Sequence, residues 1–266
     1  MIDKFGSAWF WPLLAAPFAG SFLGVLIARL PTGAPLALAR SACPSCGTRL
    51  GPRDLVPLLS FAVLRGRCRH CAAPIDPSHP VVELAAVAVA LWAMLADADI
   101  GRAWAGRAWA DCGLGWTLLT LAWIDCADLL LPDILTLPLI PAGLALTWAW
   151  DPAALTDHCL AAALAYLSFQ ALAITYRGLR GRDGLGGGDA KLAAAAGAWC
   201  GLAAFPMVVL VSALLGLLAA LALALTGRTV TSTTQIPFGP CIALAFWLVW
   251  IHGSLAEDLM RWLGTF

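Results

Sequence analysis

The chain has 266 residues, 61% of them hydrophobic and only 12% charged, where an ordinary soluble domain carries about 25% charged residues. Its basic and acidic residues balance to a formal net charge of zero, which argues against nucleic acid as the main partner. The apolar stretches are too long and too numerous for one soluble core. A bilayer admits helices but not open sheets, whose edges would go unpaired, so the expected fold is an all-α, polytopic membrane helical bundle.

A spanning helix needs roughly 20 apolar residues. About eight stretches meet or approach that length: 9–30, 81–97, 113–127, 129–149, 158–176, 189–204, 206–226 and 240–263. Ahead of the first lie Asp3 and Lys4, and no cleavable signal peptide is evident. Between the first and second stretches, 31–80 is rich in Pro, Arg and Cys and reads as the one soluble module. The third and fourth stretches are nearly continuous, and Pro132 near the start of the fourth suits a helix beginning or a break there. The expected division is therefore a first transmembrane segment (1–30), a Cys-rich loop (31–80) and a transmembrane core (81–266).

Orientation follows from the basic residues. With the N-terminus outside, the inner surfaces hold Arg29, Arg40, Arg49, Arg53, Arg65, Arg67, Arg69, Arg177, Arg180, Arg182, Lys191 and Arg228, and the outer ones only Lys4, Arg102, Arg107 and Arg261. Cytoplasmic loops carry the excess of Lys and Arg. Both termini are thus expected outside, with the 31–80 loop and the span ends bearing Asp125 and Asp189 on the cytoplasmic side.

Four of the nine cysteines form two C-x-x-C pairs in that loop, Cys43/Cys46 and Cys68/Cys71, with 21 residues between the pairs. Two such knuckles supply four thiolates for a tetrahedral zinc ion and leave no open position for water, so the expected role is structural. A disulfide or redox pair is the weaker reading on a reducing side of the membrane. His70 is an alternative ligand. The other cysteines (Cys112, Cys126, Cys159, Cys200, Cys241) read as small core hydrophobes.

The spans read as nearly free of acids except in WIDCADLLLPDILTLPL, with Asp125, Asp128 and Asp133, and in GGGD, with Asp189. An ionisable group at membrane depth is a functional candidate by default. Asp128 and Asp133 also suit helix ends; Asp133, after Leu-Pro, could cap or pair within the first turn of the next span. Asp125 and Asp189 lie near the same membrane face. Two carboxylates within a few ångströms cannot easily both ionise; they share a proton and can serve as base and acid toward water attacking a peptide bond. Gly186, Gly187 and Gly188 remove side chains ahead of Asp189, letting the backbone turn and another chain approach. A phosphate-loop reading fails, because Gly-Lys-Ser/Thr is missing and no strand precedes. Lys191 could bias the dyad, bind a substrate carboxylate or act as an interfacial anchor.

With those residues in hand, the sequence resembles the type IV prepilin leader peptidases, membrane aspartyl proteases with a Gly-x-Gly-Asp motif, over nearly its whole length. GSFLGVLIARLP at Gly20 to Pro31 is similar to the family's first-span signature. CPSCG and LVPLLSFAVLRGRCRHCAAPIDPSHPVVEL resemble its cysteine loop, and QIPFGPCIALAFW at Gln235 to Trp247 its last block. IDCADLLLPDILTLPL and GLGGGDAKLAAAAGAW resemble the segments holding the two catalytic aspartates, which fall on Asp125 and Asp189, with Gly186, Gly188, Lys191 and Asp133 as supporting residues. Three positions depart from the pattern. Gly24 stands where Asn is frequent, Leu55-Val56-Pro57 follows Asp54 where Asn-Ile-Pro is frequent, and His79 precedes Pro where Tyr is common.

The resemblance implies a bacterial inner-membrane enzyme. It would cut the basic leader from type IV prepilins or type II secretion pseudopilins, after a glycine on the cytoplasmic side. It would then methylate the new N-terminal residue with S-adenosylmethionine. A peptidase without methyl transfer is the narrower alternative. A non-enzymatic transporter or scaffold with a zinc knuckle is the broader one, since intramembrane acids and interrupted helices also mark ion pathways.

Overall fold

The computed structural model describes residues 9–36, 41–100, 105–181, 184–226 and 236–253. Of the basic residues used for orientation, Lys4, Arg40, Arg102, Arg182, Arg228 and Arg261 lie outside the described residues, as does 254–263 of the last expected span. The described residues are helical, with two isolated β-bridges and no strand. The helices are α1 (Phe10–Arg29), α2 (Leu59–Val63), α3 (Ser78–Ile100), α4 (Ala105–Asp128), α5 (Asp133–Trp150), α6 (Leu155–Arg180), α7 (Gly187–Leu225) and α8 (Gly239–His252). Among the described residues, five stretches are long and apolar enough to cross a membrane: Phe10–Arg29, Ser78–Asp97, Asp133–Trp150, Pro152–Arg180 and Gly187–Leu225. The chain divides into two compact units, Met1–Thr120 and Leu121–Phe266, with the boundary inside α4.

In the first unit α1 packs on α3. A side chain at Gly20 would bring its Cβ to 2.6 Å from the Glu83 backbone, so the glycine sets the approach of the two helices. On the other side of α1, Phe10, Leu14, Phe18 and Phe22 form an exposed i, i+4 stripe. In water such a stripe would be a liability; in a bilayer it is the lipid face. The indole of Trp116 in α4 donates to the Ala86 carbonyl of α3 at 3.0 Å.

The spans are richer in buried acids than the sequence reading expected. Glu83 and Asp97 in α3 and Asp111 in α4 are all buried. Arg107, counted above as an outer surface charge, lies with its Nε 3.5 Å from both Asp97 and Asp111. Its side chain is only 11% exposed. Arg107 looks like a surface charge in one dimension because Asp97 of α3 joins it and Asp111 only after folding.

In the second unit α5, α6, α7 and α8 pack around the small-residue run of α7, where residues from Ala190 to Trp199 are buried apart from Lys191. Small residues let membrane helices approach to backbone contact. A Cβ at Gly197 would sit 2.6 Å from the Ala161 carbonyl oxygen of α6, and one at Gly143 of α5 would meet the Trp199 ring.

The expected stretches 189–204 and 206–226 share one run of helix, which breaks at Gly201 and not at Pro206. Gly201 has φ 76° and ψ 176°. A straight helix would carry Gly216 about 42 Å from Gly188. Close contacts instead link Gly216 to Phe238, its neighbour Gly239 to Leu131, and Leu131 to Gly188, so the second half folds back beside the first. The break frees backbone groups that must find partners in a membrane. Asp157 of α6 accepts from Leu202 N–H at 2.8 Å, and His158 Nδ1 donates to the Ala198 carbonyl at 2.9 Å.

At the far end of α5, of the first half of α7 and of α8, three tryptophans meet. Trp250 stacks on Trp150 and sits edge-on to Trp199, with ring centroids 6.4 and 5.0 Å apart. These three helices therefore run parallel, and their N-termini gather at the opposite end.

Candidate active site and metal centre

The cysteine loop builds two matching turns in the first unit. The bridge Ala42–Arg49 closes one and Arg67–Pro74 the other. In each, the first cysteine donates its N–H across the turn: Cys43 to Thr48 at 2.9 Å and Cys68 to Ala73 at 2.8 Å. Its carbonyl accepts from the residue after the second cysteine, Gly47 or Ala72. Both of those residues hold positive φ, 69° and 57°, which the tight reversal requires. The turns bring Cys43, Cys46, Cys68 and Cys71 together with all four sulfurs within 4.8 Å of one another. Cys43 and Cys71 Sγ are 3.8 Å apart, matching the edge of a tetrahedron with Zn–S bonds of about 2.3 Å. Hydrogen bonds from the Thr48 hydroxyl and backbone hold the Cys46 thiol down at about 6.

The carboxylates lie in the second unit. Asp125 is in the last turn of α4 and is 6% exposed; Asp189 is in the first turn of α7 and is 7% exposed. Each is held by one backbone N–H at a glycine that opens a helix. Asp125 Oδ2 accepts from Gly239 at 2.9 Å, at the start of α8. Asp189 Oδ2 accepts from Gly186 at 3.0 Å, ahead of its own helix. Leu131 lies against both Gly188, next to Asp189, and Gly239, which holds Asp125, so the two carboxylates share one neighbourhood. The positive ends of the α5, α7 and α8 dipoles converge on this end of the bundle, which favours negative charge there. Among the described residues only one oxygen of each carboxylate takes a hydrogen bond, which leaves Oδ1 of each for a shared proton or a water.

Leu131 closes the site from the α4–α5 connection. A Cβ at Gly188 would fall 2.7 Å from Leu131 Cβ, and one at Gly239 would fall 2.7 Å from Asp125 Oδ2 and 3.1 Å from Leu131 Cδ2. Lys191 pairs with Asp133 at 2.5 Å on the rim of the site. Asp133 is the first residue of α5, whose N-cap is Pro132.

Comparison with known proteins agrees in kind with these features. Residues 14–96 match the bacterial peptidase A24 N-terminal domain, and residues 112–221 match the type IV leader peptidase family. The chain is 40% identical over 249 residues to a prepilin leader peptidase/N-methyltransferase of Burkholderia pseudomallei (strain 1026b), covering 84% of this chain and 79% of the relative. It is 38% identical over 230 residues to one of Aeromonas hydrophila, covering 86% and 76%. The chain belongs to the type IV leader peptidase family. A third relative of the same name, from Pseudomonas aeruginosa, is 35% identical over 265 residues, covering 91% of this chain and 89% of its own. No solved structure matches.

Within this family member, sequence reasoning passed over two groups that shape the site. Gly239 holds Asp125, and the available signal was a Gly-Pro pair opening an apolar helix. Leu131 fills the space left free by Gly188 and Gly239, and nothing in a run of leucines marks one of them.

Proposed function

We propose that this chain cleaves the leader from prepilins or pseudopilins with Asp125 and Asp189 as the catalytic pair. The observation that carries the reading is the matched pair of buried carboxylates, each tied by one oxygen to a helix-opening glycine and each with one oxygen left over. The ionised partner takes a proton from water as the water oxygen attacks the scissile carbonyl. The protonated partner hydrogen-bonds the developing oxyanion and then gives its proton to the leaving amine. No covalent intermediate is needed. The first half of α7 and α8 span 14 residues each, about 21 Å against a hydrocarbon thickness of roughly 30 Å. With the tryptophans at one interface, the pair stands slightly below the other, which we take as the cytoplasmic one from the arginine distribution. Counting α4, α8 and the two halves of α7 as spans supports the eight-span topology, with both termini outside.

The names of the relatives and the resemblance support methylation of the new N-terminus as a second activity. S-adenosylmethionine would supply the methyl carbon, which the amine lone pair takes while the C–S electron pair stays on sulfur and the amine sheds a proton to solvent. We assign 31–80 as the zinc module, with the ion rigidifying the loop, and 81–266 as the peptidase core.

The deciding experiment incubates the purified protein with a prepilin and measures the mass of the mature N-terminus. Cleavage after a glycine with one added methyl is expected. Intact prepilin would reject the peptidase reading and favour a transporter or scaffold, whereas cleavage without the methyl would leave a peptidase alone. Gly239→Ala is expected to lower cleavage about 10²-fold, because a side chain there pushes the Asp125 carboxylate out of line; an unaltered rate would show that the contact does not position it. Cys43→Ser is expected to strip bound zinc, read by metal analysis, and to lower the melting temperature. Full zinc content in that variant would remove Cys43 from the ligand set.

A further inference from the structure

A methyl donor needs a site, and the described residues contain no strand followed by a glycine-rich turn and helix on which a nucleotide would ordinarily lie. We infer that a cavity of about 430 Å³ in the first unit, between the cysteine knuckles and the neighbouring ends of α1 and α3, binds S-adenosylmethionine with the Glu83 carboxylate against its cationic end. This rests on the methyl-transfer reading above.

The volume lies within the range of small-molecule sites, which pair apolar walls with a few placed polar groups. Phe61, Leu64 and Ile75 supply apolar wall suited to a flat heteroaromatic ring. Gly24, Leu55 and His79, far apart in sequence, also line this space.

Glu83 is the decisive group. It is 8% exposed and sits in the second turn of α3. Its Oε2 accepts from Leu58 N–H at 2.7 Å. Leu58 holds φ 60° and ψ −47°, a strained conformation for leucine that persists only where the surroundings impose it. Among the described residues Glu83 forms no ion pair, while the nearby Arg69 guanidinium is engaged by Asp54 at 2.7 Å. That contact and the Gly51 N–H keep the Asp54 carboxyl below its usual range. A group that only capped the Leu58 turn could be a neutral amide, without the desolvation penalty of a buried charge. A carboxylate there is explained by a cation. S-adenosylmethionine carries a sulfonium and an ammonium, either of which the Glu83 carboxylate can face across the cavity.

Gly24 provides the test. A Cβ there would meet only His79 Nδ1, at 3.5 Å, so a leucine can be seated on α1 while its outer atoms fill the cavity. The full-length protein, purified in detergent with zinc, is irradiated with methyl-labelled S-adenosylmethionine and digested. The label is expected in peptides from 20–29 or 54–83. In equilibrium dialysis Gly24→Leu is expected to abolish donor binding and Glu83→Gln to weaken it about tenfold or more. Gly113→Leu, on an open face of α4, should bind as wild type. Zinc content and helicity report whether each variant folds, and the near-isosteric Glu83→Gln carries the test if Gly24→Leu does not. Label confined to 121–252, or unchanged binding by Glu83→Gln, overturns the cavity assignment. If wild type also methylates prepilin, only the cavity is wrong. A wild-type protein that neither binds donor nor methylates removes the methyl-transfer reading itself, and this inference with it.

Discussion

Asp125→Asn and Asp189→Asn are each expected to lower prepilin cleavage by about 10³-fold or more, since each removes a group that must exchange a proton. The exchange is conservative. An amide oxygen still accepts the Gly239 or Gly186 N–H that holds each carboxylate, so the helices that open at those glycines keep their arrangement. What is lost is the shared proton and the charge that draws one from water. Groups that act as a unit are not additive, so the double variant should cleave no more slowly than the slower single one. The readout is the initial rate of mature pilin formation by purified variants in detergent, with zinc content as a check on folding. A near wild-type rate in either variant would sink the dyad. A double variant much slower than both singles would mean that the two carboxylates act separately.

Arg107→Met is expected to destabilise the first unit by about 3–5 kcal/mol, the usual loss when one partner of a buried ionic cluster is removed. Asp97 and Asp111 are 1% and 0% exposed, and without the guanidinium between them two carboxylates would be left facing each other at low dielectric. The methionine fills much of the volume, so the loss is electrostatic and not a cavity effect. Removing all three charges together, as Asp97→Asn, Asp111→Asn and Arg107→Gln, should recover most of the stability. Denaturant or detergent titrations followed by helicity and by tryptophan fluorescence compare the variants. Arg107→Met within about 1 kcal/mol of wild type would show that the cluster is solvated and its charges screened.

The cluster also shows where a one-dimensional reading stops. Arg107 reads as an outer-surface charge because basic residues flanking apolar runs usually are; burying it needs two acids that come close only when α3 and α4 pack. Glu83 draws no notice in the sequence, and its surroundings come from α1 and the cysteine loop. At Gly201 the likeliest punctuator in sequence is the nearby Pro206, yet that proline stays within helix. The break occurs where Asp157 and His158, from another helix, can satisfy the freed backbone groups.

The sequence by itself determined the membrane class, the stretches of the apolar helices, the paired cysteine turns and the placing of Asp125 and Asp189 at helix ends. These are local properties: hydropathy over 20 residues, a C-x-x-C spacing, an acid in an oily run. Only the tertiary structure decided that Gly239 holds Asp125, that Leu131 occupies the clearance at Gly188, that Lys191 is engaged by Asp133 and that Glu83 faces a cavity. Each joins residues from separate elements, and their pairing depends on how closely the helices can approach. That approach is set by close contacts at Gly20 and Gly197 with backbone and at Gly143 with the Trp199 ring, which carry no signal until the facing helix is known.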